Sequence, residues 1–246
     1  MKALSVLSLV GCVLAPLTSQ AVTLNDDFNL DMIVTATSDY RSRGISQSLG
    51  DPAAQFGATL THSSGLYIGA WTSSVDFGDD FKTHQELEYY AGYFWQASDA
   101  ISLDLGYIKY DYPKEAQFNL SEVYAILDLY GVKLGTYYSS DTPNVFGEDQ
   151  DTFYAYLGYT LALPAEFGLD LRFGRNDVKD EAFVSPNGDS RSTYNEWEAK
   201  LTRDFLGVNW GLSYIDTNLK KSECANWYGF DDLCSATVVV SASKAF

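Results

Sequence analysis

Cysteine, histidine and positive charge are all scarce in this chain: 246 residues carry 3 Cys, 2 His and only 16 Lys+Arg against 33 Asp+Glu. So few cysteines exclude a disulfide-built scaffold. Two histidines leave no His-x-x-x-His metal spacing, and no Walker loop or Cys-x-x-Cys is present. A net charge of -17 excludes a nucleic-acid partner, whose phosphates demand clustered Lys and Arg, and also docking by charge on an anionic membrane surface. After residue 21 no run of about 18 apolar residues occurs, so there is no membrane-spanning helix. What is plentiful is aromatic surface, with 18 Tyr, 14 Phe and 5 Trp, and that excludes a disordered chain.

The first segment concerns targeting rather than fold. Lys2 precedes an apolar run from Ala3 to Leu17, and Ser19-Gln20-Ala21 places small residues where a signal peptidase reads. Residues 1–21 are therefore expected to be a secretory signal peptide cleaved after Ala21, leaving residues 22–246 as one domain. A membrane anchor is disfavoured because the run is short and is broken by Gly11 and Pro16. Leu9-Val10-Gly11-Cys12 resembles a lipobox, but a lipidated Cys12 would strand Val13 to Leu17 beyond it. The exported chain keeps Cys224 and Cys234, an even pair expected to form a disulfide.

Along the rest of the chain the period is two. Leu87, Tyr89, Ala91, Tyr93 and Trp95 alternate with Glu86, Glu88, Tyr90 and Gly92; Val123, Ala125, Leu127 and Leu129 alternate with Glu122, Tyr124 and Asp128; Phe167, Leu169, Leu171 and Phe173 alternate with Gly168, Asp170 and Arg172. These stretches of about ten residues are strands. About twelve can be marked, joined in turn by short connections, such as Tyr130-Gly131, and long polar ones, such as Val178 to Thr193. An even number of antiparallel strands with short and long connections taking turns is the pattern of an outer-membrane barrel. The fold class expected is all-β, an antiparallel transmembrane β-barrel of about 12 strands. Alternation alone would also suit a soluble sandwich. The leader, a strand length near the ~9–11 residues that span a bilayer, and a last strand ending on Phe246 favour the barrel, although Lys244 stands where another aromatic is expected.

Ser38-Asp39-Tyr40-Arg41-Ser42-Arg43-Gly44-Ile45-Ser46-Gln47-Ser48, with Gly65-Leu66-Tyr67-Ile68-Gly69-Ala70-Trp71, Ser74-Val75-Asp76-Phe77, Glu88-Tyr89-Tyr90-Ala91-Gly92-Tyr93, Gly106 to Tyr110, Tyr112-Pro113, Glu122-Val123-Tyr124 and Tyr194-Asn195-Glu196-Trp197, resembles a proteobacterial family termed Gcw_chp, also known as TorF-family porins. The resemblance covers essentially the whole mature chain and implies an outer-membrane barrel with a pore role. It implies no substrate and no catalytic residue.

If the polar parity faces a lumen, the wall carries Asp31, Glu86, Glu88, Asp104, Glu122, Asp128, Asp170, Glu196 and Glu198 against Lys133, Arg172 and Lys200. Not all of these acids can pair, so a passive channel for small solutes with a cation preference is expected. Asp39, Arg41 and Arg43 continue the inward parity. Either the two guanidiniums face Glu86 and Glu88 across the mouth, making a transverse field, or they anchor the first long loop to lumen carboxylates. The alternative function is a surface barrel, an adhesin or structural protein, plugged by Tyr90, Tyr124, Tyr154 and Tyr156 and by inward loops. A barrel enzyme is not expected, since the only histidines, His62 and His84, fall at opposite ends, and His62 next to Ser63 and Ser64 reads as a turn residue at the membrane interface. No cofactor or metal is expected. The acid pairs Asp79-Asp80, Glu148-Asp149 with Asp151, and Asp231-Asp232 could hold Ca²⁺ but suit solvated loops better. Between Cys224 and Cys234, a closed loop serves loop stability outside the cell first; it would also present Trp227, Tyr228 and Phe230 as an aromatic surface for a sugar, a phage or lipopolysaccharide, or as a lid on the mouth. The expected surroundings are outer-membrane lipid and lipopolysaccharide, the barrel-assembly machinery and small solutes or ions; oligomeric state is not readable.

Overall fold

The computed structural model describes residues 22–144 and 148–246; the expected leader, its expected cleavage site after Ala21, and Cys12 lie outside them. Twelve long strands follow one another: β1 Phe28–Thr37, β2 Ala53–His62, β3 Leu66–Ser74, β4 Gln85–Ser98, β5 Ile101–Asp111, β6 Leu120–Leu129, β7 Val132–Pro143, β8 Asp149–Leu163, β9 Phe167–Asp177, β10 Thr193–Phe205, β11 Val208–Thr217 and β12 Thr237–Ala245. Each pairs antiparallel with the next, and β12 closes on β1 through Ser241↔Thr37 to Ala245↔Ile33. The two-residue strand Val22–Thr23 pairs with β1 below that seam. Closure leaves no unpaired edge, which a sheet in lipid cannot tolerate.

The alternation decides which side chain meets which solvent. Val34, Phe56, Ile68, Leu105, Leu134, Leu157, Leu171, Leu212 and Val240 point outward and are exposed. An apolar girdle on this scale is a surface built for lipid rather than water. Outward aromatics collect toward the two strand ends: Tyr89, Tyr107, Tyr138, Phe153, Phe173 and Tyr214 toward the long loops, and Trp95, Tyr159, Trp210 and Phe246 toward the short turns. Those are the headgroup levels, where a ring with one polar end is best placed. Outward Arg203 and Lys244 sit near the turn end and lay their charges over Phe167 and Phe246 at 5.0 and 5.2 Å. Such long side chains reach toward water while their stems stay apolar.

The short connections are tight. Tyr130-Gly131 and Leu206-Gly207 are two-residue links with φ of 55° and 84°, and 55° and 72°, the left-handed pair that matches strand twist in a hairpin. The long loops are structured. Residues 218–236 contain the helix α1 Lys221–Tyr228 and the Cys224–Cys234 disulfide, with Cα atoms 6.0 Å apart. No helical stripe in the sequence announces α1. The structure also carries β7 and β8 into what reads as loop in the sequence, pairing Thr142 with Gln150 and Pro143 with Asp149.

Candidate functional site: the lumen and its mouth

One half of the lumen wall is aromatic, and the other sets small hydroxyl side chains among the aliphatic Ile33, Ile215 and Val239. Tyr67, Tyr90, Ile108, Tyr124, Tyr137 and Tyr154 pack together on the inner faces of β3 to β8, with Trp71, Phe94, Tyr110, Ile126 and Tyr156 against them. The opposing wall presents Thr35, Thr37, Ser213, Ser241 and Ser243. The aromatic half depends on inward glycines one strand away: register pairs set Gly92 beside Tyr67, Gly69 beside Tyr90, Gly106 beside Tyr124 and Gly135 beside Tyr156. A Cβ on Gly106 would lie 2.5 Å from the Tyr124 ring, and one on Gly135 would lie 2.0 Å from Tyr156. The rings therefore lie flat on bare backbone, covering its polar groups and leaving space along the Ser/Thr wall. That space is a cavity of about 200 Å³ whose lining runs from Asp39 and Arg43 at the loop end to Ser102, Asp128, Lys133 and Ser243 toward the turns.

The mouth is occupied by the first long loop. Arg41–Ser42 and Ile45–Ser46 pair as a small ribbon, and its tip, Arg43-Gly44, has φ of 49° and 84°. Gly44 is needed there twice over, for its left-handed φ and because an added Cβ would meet Thr217 Cγ2 at 2.6 Å. Asp39 is buried and accepts from Arg41 Nε and Ser46 Oγ, both at 2.6 Å. Arg41 Nη1 donates to the carbonyls of Gly44, Leu233 and Ser235, each at 3.0 Å. This guanidinium ties the first loop to the last.

Arg43 points the other way, into the barrel. Its Nη2 donates to both oxygens of Glu122, at 2.6 and 2.7 Å. Its guanidinium carbon stands 4.6 Å from the Tyr154 ring centre and 5.4 Å from that of Tyr137. Tyr110 donates to the same carboxylate at 3.0 Å. The facing of Arg41 and Arg43 against Glu86 and Glu88 is thus replaced by other pairings. Glu86 accepts from Tyr40 at 3.1 Å and Tyr112 at 3.0 Å, while Glu88 lines the cavity. The physical reason is reach, since the Arg43 tip lands over β6 rather than over β4.

Below the mouth the inward charges are tied into the wall. Arg172 bridges Glu196 at 3.0 Å and Glu198 at 3.1 Å, and Tyr154 also donates to Glu196 at 2.6 Å. Asp104 accepts from Tyr67 at 2.5 Å, and Asp170 from Thr160 at 2.7 Å. Lys133 stands opposite Asp128, and Lys200 opposite Asp170. The inward face of β1 carries Asp31. The cavity itself is lined by Asp39, Glu88, Asp104, Asp128 and Glu198 and equally by Arg41, Arg43, Lys133, Arg172 and Lys200. The acid excess counted along the strands therefore sits largely behind tyrosine hydroxyls rather than on the open surface. Tyr110 and Tyr137 belong to this site as well, beyond the four inward tyrosines expected from the sequence, and their parity with Asp104 and Lys133 marks them.

Outside the mouth a second core forms. Ile45, Val178, Phe183, Tyr194, Leu219, Leu233 and the two cysteines are buried together, with Trp227 and Tyr228 packed against them. Trp227 and Tyr228 are thus partly spent inside this cap, and Phe230 is the more exposed ring of the three. Glu223 fastens the cap, accepting from Arg191 Nη2 at 2.7 Å and from the Lys220 N–H at 2.8 Å. Burial works to raise its carboxyl, but the Arg191 and Lys220 hydrogen bonds hold it below the ordinary glutamate range. His62 lies beside the turn at Ser63 and Ser64, bonded to Ser64 at 2.8 Å, whereas His84 precedes β4 at the loop end. Among the described residues no three His, Cys, Asp or Glu side chains gather as metal ligands.

The fold is that of known porins. The NanC porin matches with a TM-score of 0.55 at 10% identity, covering 87% of this chain and 98% of that one. The KdgM porin gives 0.51 at 8% identity, and its complex with disordered oligogalacturonate 0.52 at 8%, each covering 88% of this chain and 98% of the other. Such identities establish the architecture alone. The comparison by sequence with curated proteins gives no match. Residues 22–246 match throughout the family described as bacterial protein of unknown function, Gcw_chp, and the chain belongs to that family.

Proposed function

We propose that the chain is an outer-membrane porin, exported by residues 1–21, that passes small solutes and ions by passive diffusion. The observation that carries this is the cavity along the Ser/Thr wall, lined from the mouth toward the turn end inside a closed, lipid-facing barrel. A twelve-stranded wall is wider than a side-chain-filled eight-stranded one and narrower than a sixteen-stranded porin, and here tyrosines take up half of what it encloses. Passage is therefore restricted to small species. The ion preference is for cations but weak. Buried Glu86 and Glu122 add negative field, yet the surface that an ion touches has as many cationic as anionic side chains. Residues proposed to line the path are Asp39, Glu88, Asp104, Asp128, Lys133, Arg172, Glu198 and Lys200, with Glu86, Glu122, Asp170 and Glu196 behind them. The oligogalacturonate seen in the KdgM porin is a polyanion, and the inward arginines of this chain, Arg41, Arg43 and Arg172, are already engaged with carboxylates, which does not favour such a cargo here.

A second reading has its own observation. The first loop seats Arg43 inside the mouth, which suits a plugged, non-transporting surface barrel. Osmotic swelling of liposomes containing refolded protein separates the two. The porin admits glycerol and small sugars and excludes trisaccharides, whereas the plugged barrel admits none.

A further inference from the structure

The surroundings of Arg43 amount to a receptor for a planar cation. A buried carboxylate, Glu122, takes two hydrogen bonds from one guanidinium nitrogen at 2.6 and 2.7 Å. The Tyr110 hydroxyl fixes that carboxylate at 3.0 Å. The rings of Tyr137 and Tyr154 stand at 5.4 and 4.6 Å from the guanidinium carbon, within the range at which a ring face attracts a cation. None of these four residues comes from the loop that supplies Arg43; they belong to β5, β6, β7 and β8 of the rigid wall. The loop brings its cation on a hairpin tip, and Arg43 adopts a left-handed φ of 49° there. A bulky side chain holds that φ at a cost. The Tyr194 hydroxyl, donating to the Arg43 carbonyl at 3.1 Å, keeps the tip in place. If Arg43 served only to anchor the loop, Arg41 with its Asp39 pair and three carbonyls would already suffice.

We propose that Glu122, Tyr110, Tyr137 and Tyr154 form a binding box for guanidinium and alkylammonium groups in the outer half of the lumen, and that Arg43 fills it as a tethered, displaceable occupant. Small organic cations bearing such a head group are then the solutes that the lumen recognises. Binding to the box stands on the geometry alone; its bearing on transport rests on the porin reading above.

The test vacates the box without breaking the turn. Arg43→Gly suits the left-handed tip, and Arg43→Asn tolerates the same φ and serves if the glycine variant does not refold. Heat-modifiable migration on a gel reports whether the barrel is closed. Methylguanidinium is titrated calorimetrically into refolded wild type, Arg43→Gly and Arg43→Gly/Glu122→Gln, with sodium as the control cation. The box predicts saturable millimolar binding to Arg43→Gly, at least tenfold weaker in wild type and in the double variant. Equal binding in all three, or none to a closed Arg43→Gly barrel, overturns it. Because calorimetry needs no conduction, a protein that binds the probe but passes no current contradicts the porin reading and leaves the box standing.

Discussion

Arg172 illustrates how this lumen manages charge. It is buried between Glu196 and Glu198, and removing it strands the fully buried Glu196 without its cation. Arg172→Met is expected to cost about 3 kcal/mol of barrel stability, read as a lower midpoint in urea unfolding from detergent micelles. The glycine and tyrosine pairs give a sharper contrast. Gly106→Ala puts a methyl group into Tyr124, and its nearest approach of 2.5 Å is an overlap costing about 1–3 kcal/mol. Gly158→Ala meets its nearest atom at 3.5 Å and should be neutral or slightly stabilising in the same unfolding measurement. The parity that sends these residues inward is legible in the sequence, because period-two alternation needs only neighbours along the chain. The ring lying flat on a glycine is not legible there, because it depends on register across strands.

At the scale of elements, the twelve strands and their alternating connections can be read from the chain, whereas α1 and the mouth ribbon cannot. The helix spans eight residues, too few for a stripe to show, and is held by tertiary contacts: the disulfide, the packing of Trp227 on Phe183 at 5.7 Å, and Glu223. The Arg43–Glu122 contact joins residues 79 positions apart, so only barrel closure brings them together. Replacing Cys224 and Cys234 by serine removes a cross-link worth about 3 kcal/mol for a loop of this length. Limited proteolysis should then cut within residues 218–236 well before the barrel strands, whose amides stay paired. Acid acts on the same cap through Glu223. Its carboxyl is held below the ordinary glutamate range in the folded cap, so it stabilises the cap at neutral pH, and that contribution is lost as pH falls through the ordinary range to the lowered folded value. Tryptophan fluorescence of Trp227 should report loosening as the pH is lowered, and Glu223→Gln should be loosened already at neutral pH and nearly insensitive to acid over that window.

For the whole molecule, three surfaces meet three environments. The outer band suits lipid, the loop cap has its own buried core, and the lumen is half filled by tyrosine. Fold class and strand number follow from composition and alternation. The balance of charge on the cavity does not, because counting inward residues cannot tell an open carboxylate from one covered by a tyrosine hydroxyl. A narrow pore is expected, with a weak cation preference that comes from carboxylates behind the wall. The most direct test is single-channel recording of refolded protein in a planar bilayer under asymmetric KCl, with wild type and Arg43→Gly side by side. Small steady openings with a reversal potential shifted a few millivolts toward that of K⁺, and larger openings in the variant, are the predicted result. Correctly inserted protein that stays silent in both forms, or a reversal potential on the Cl⁻ side, would contradict it.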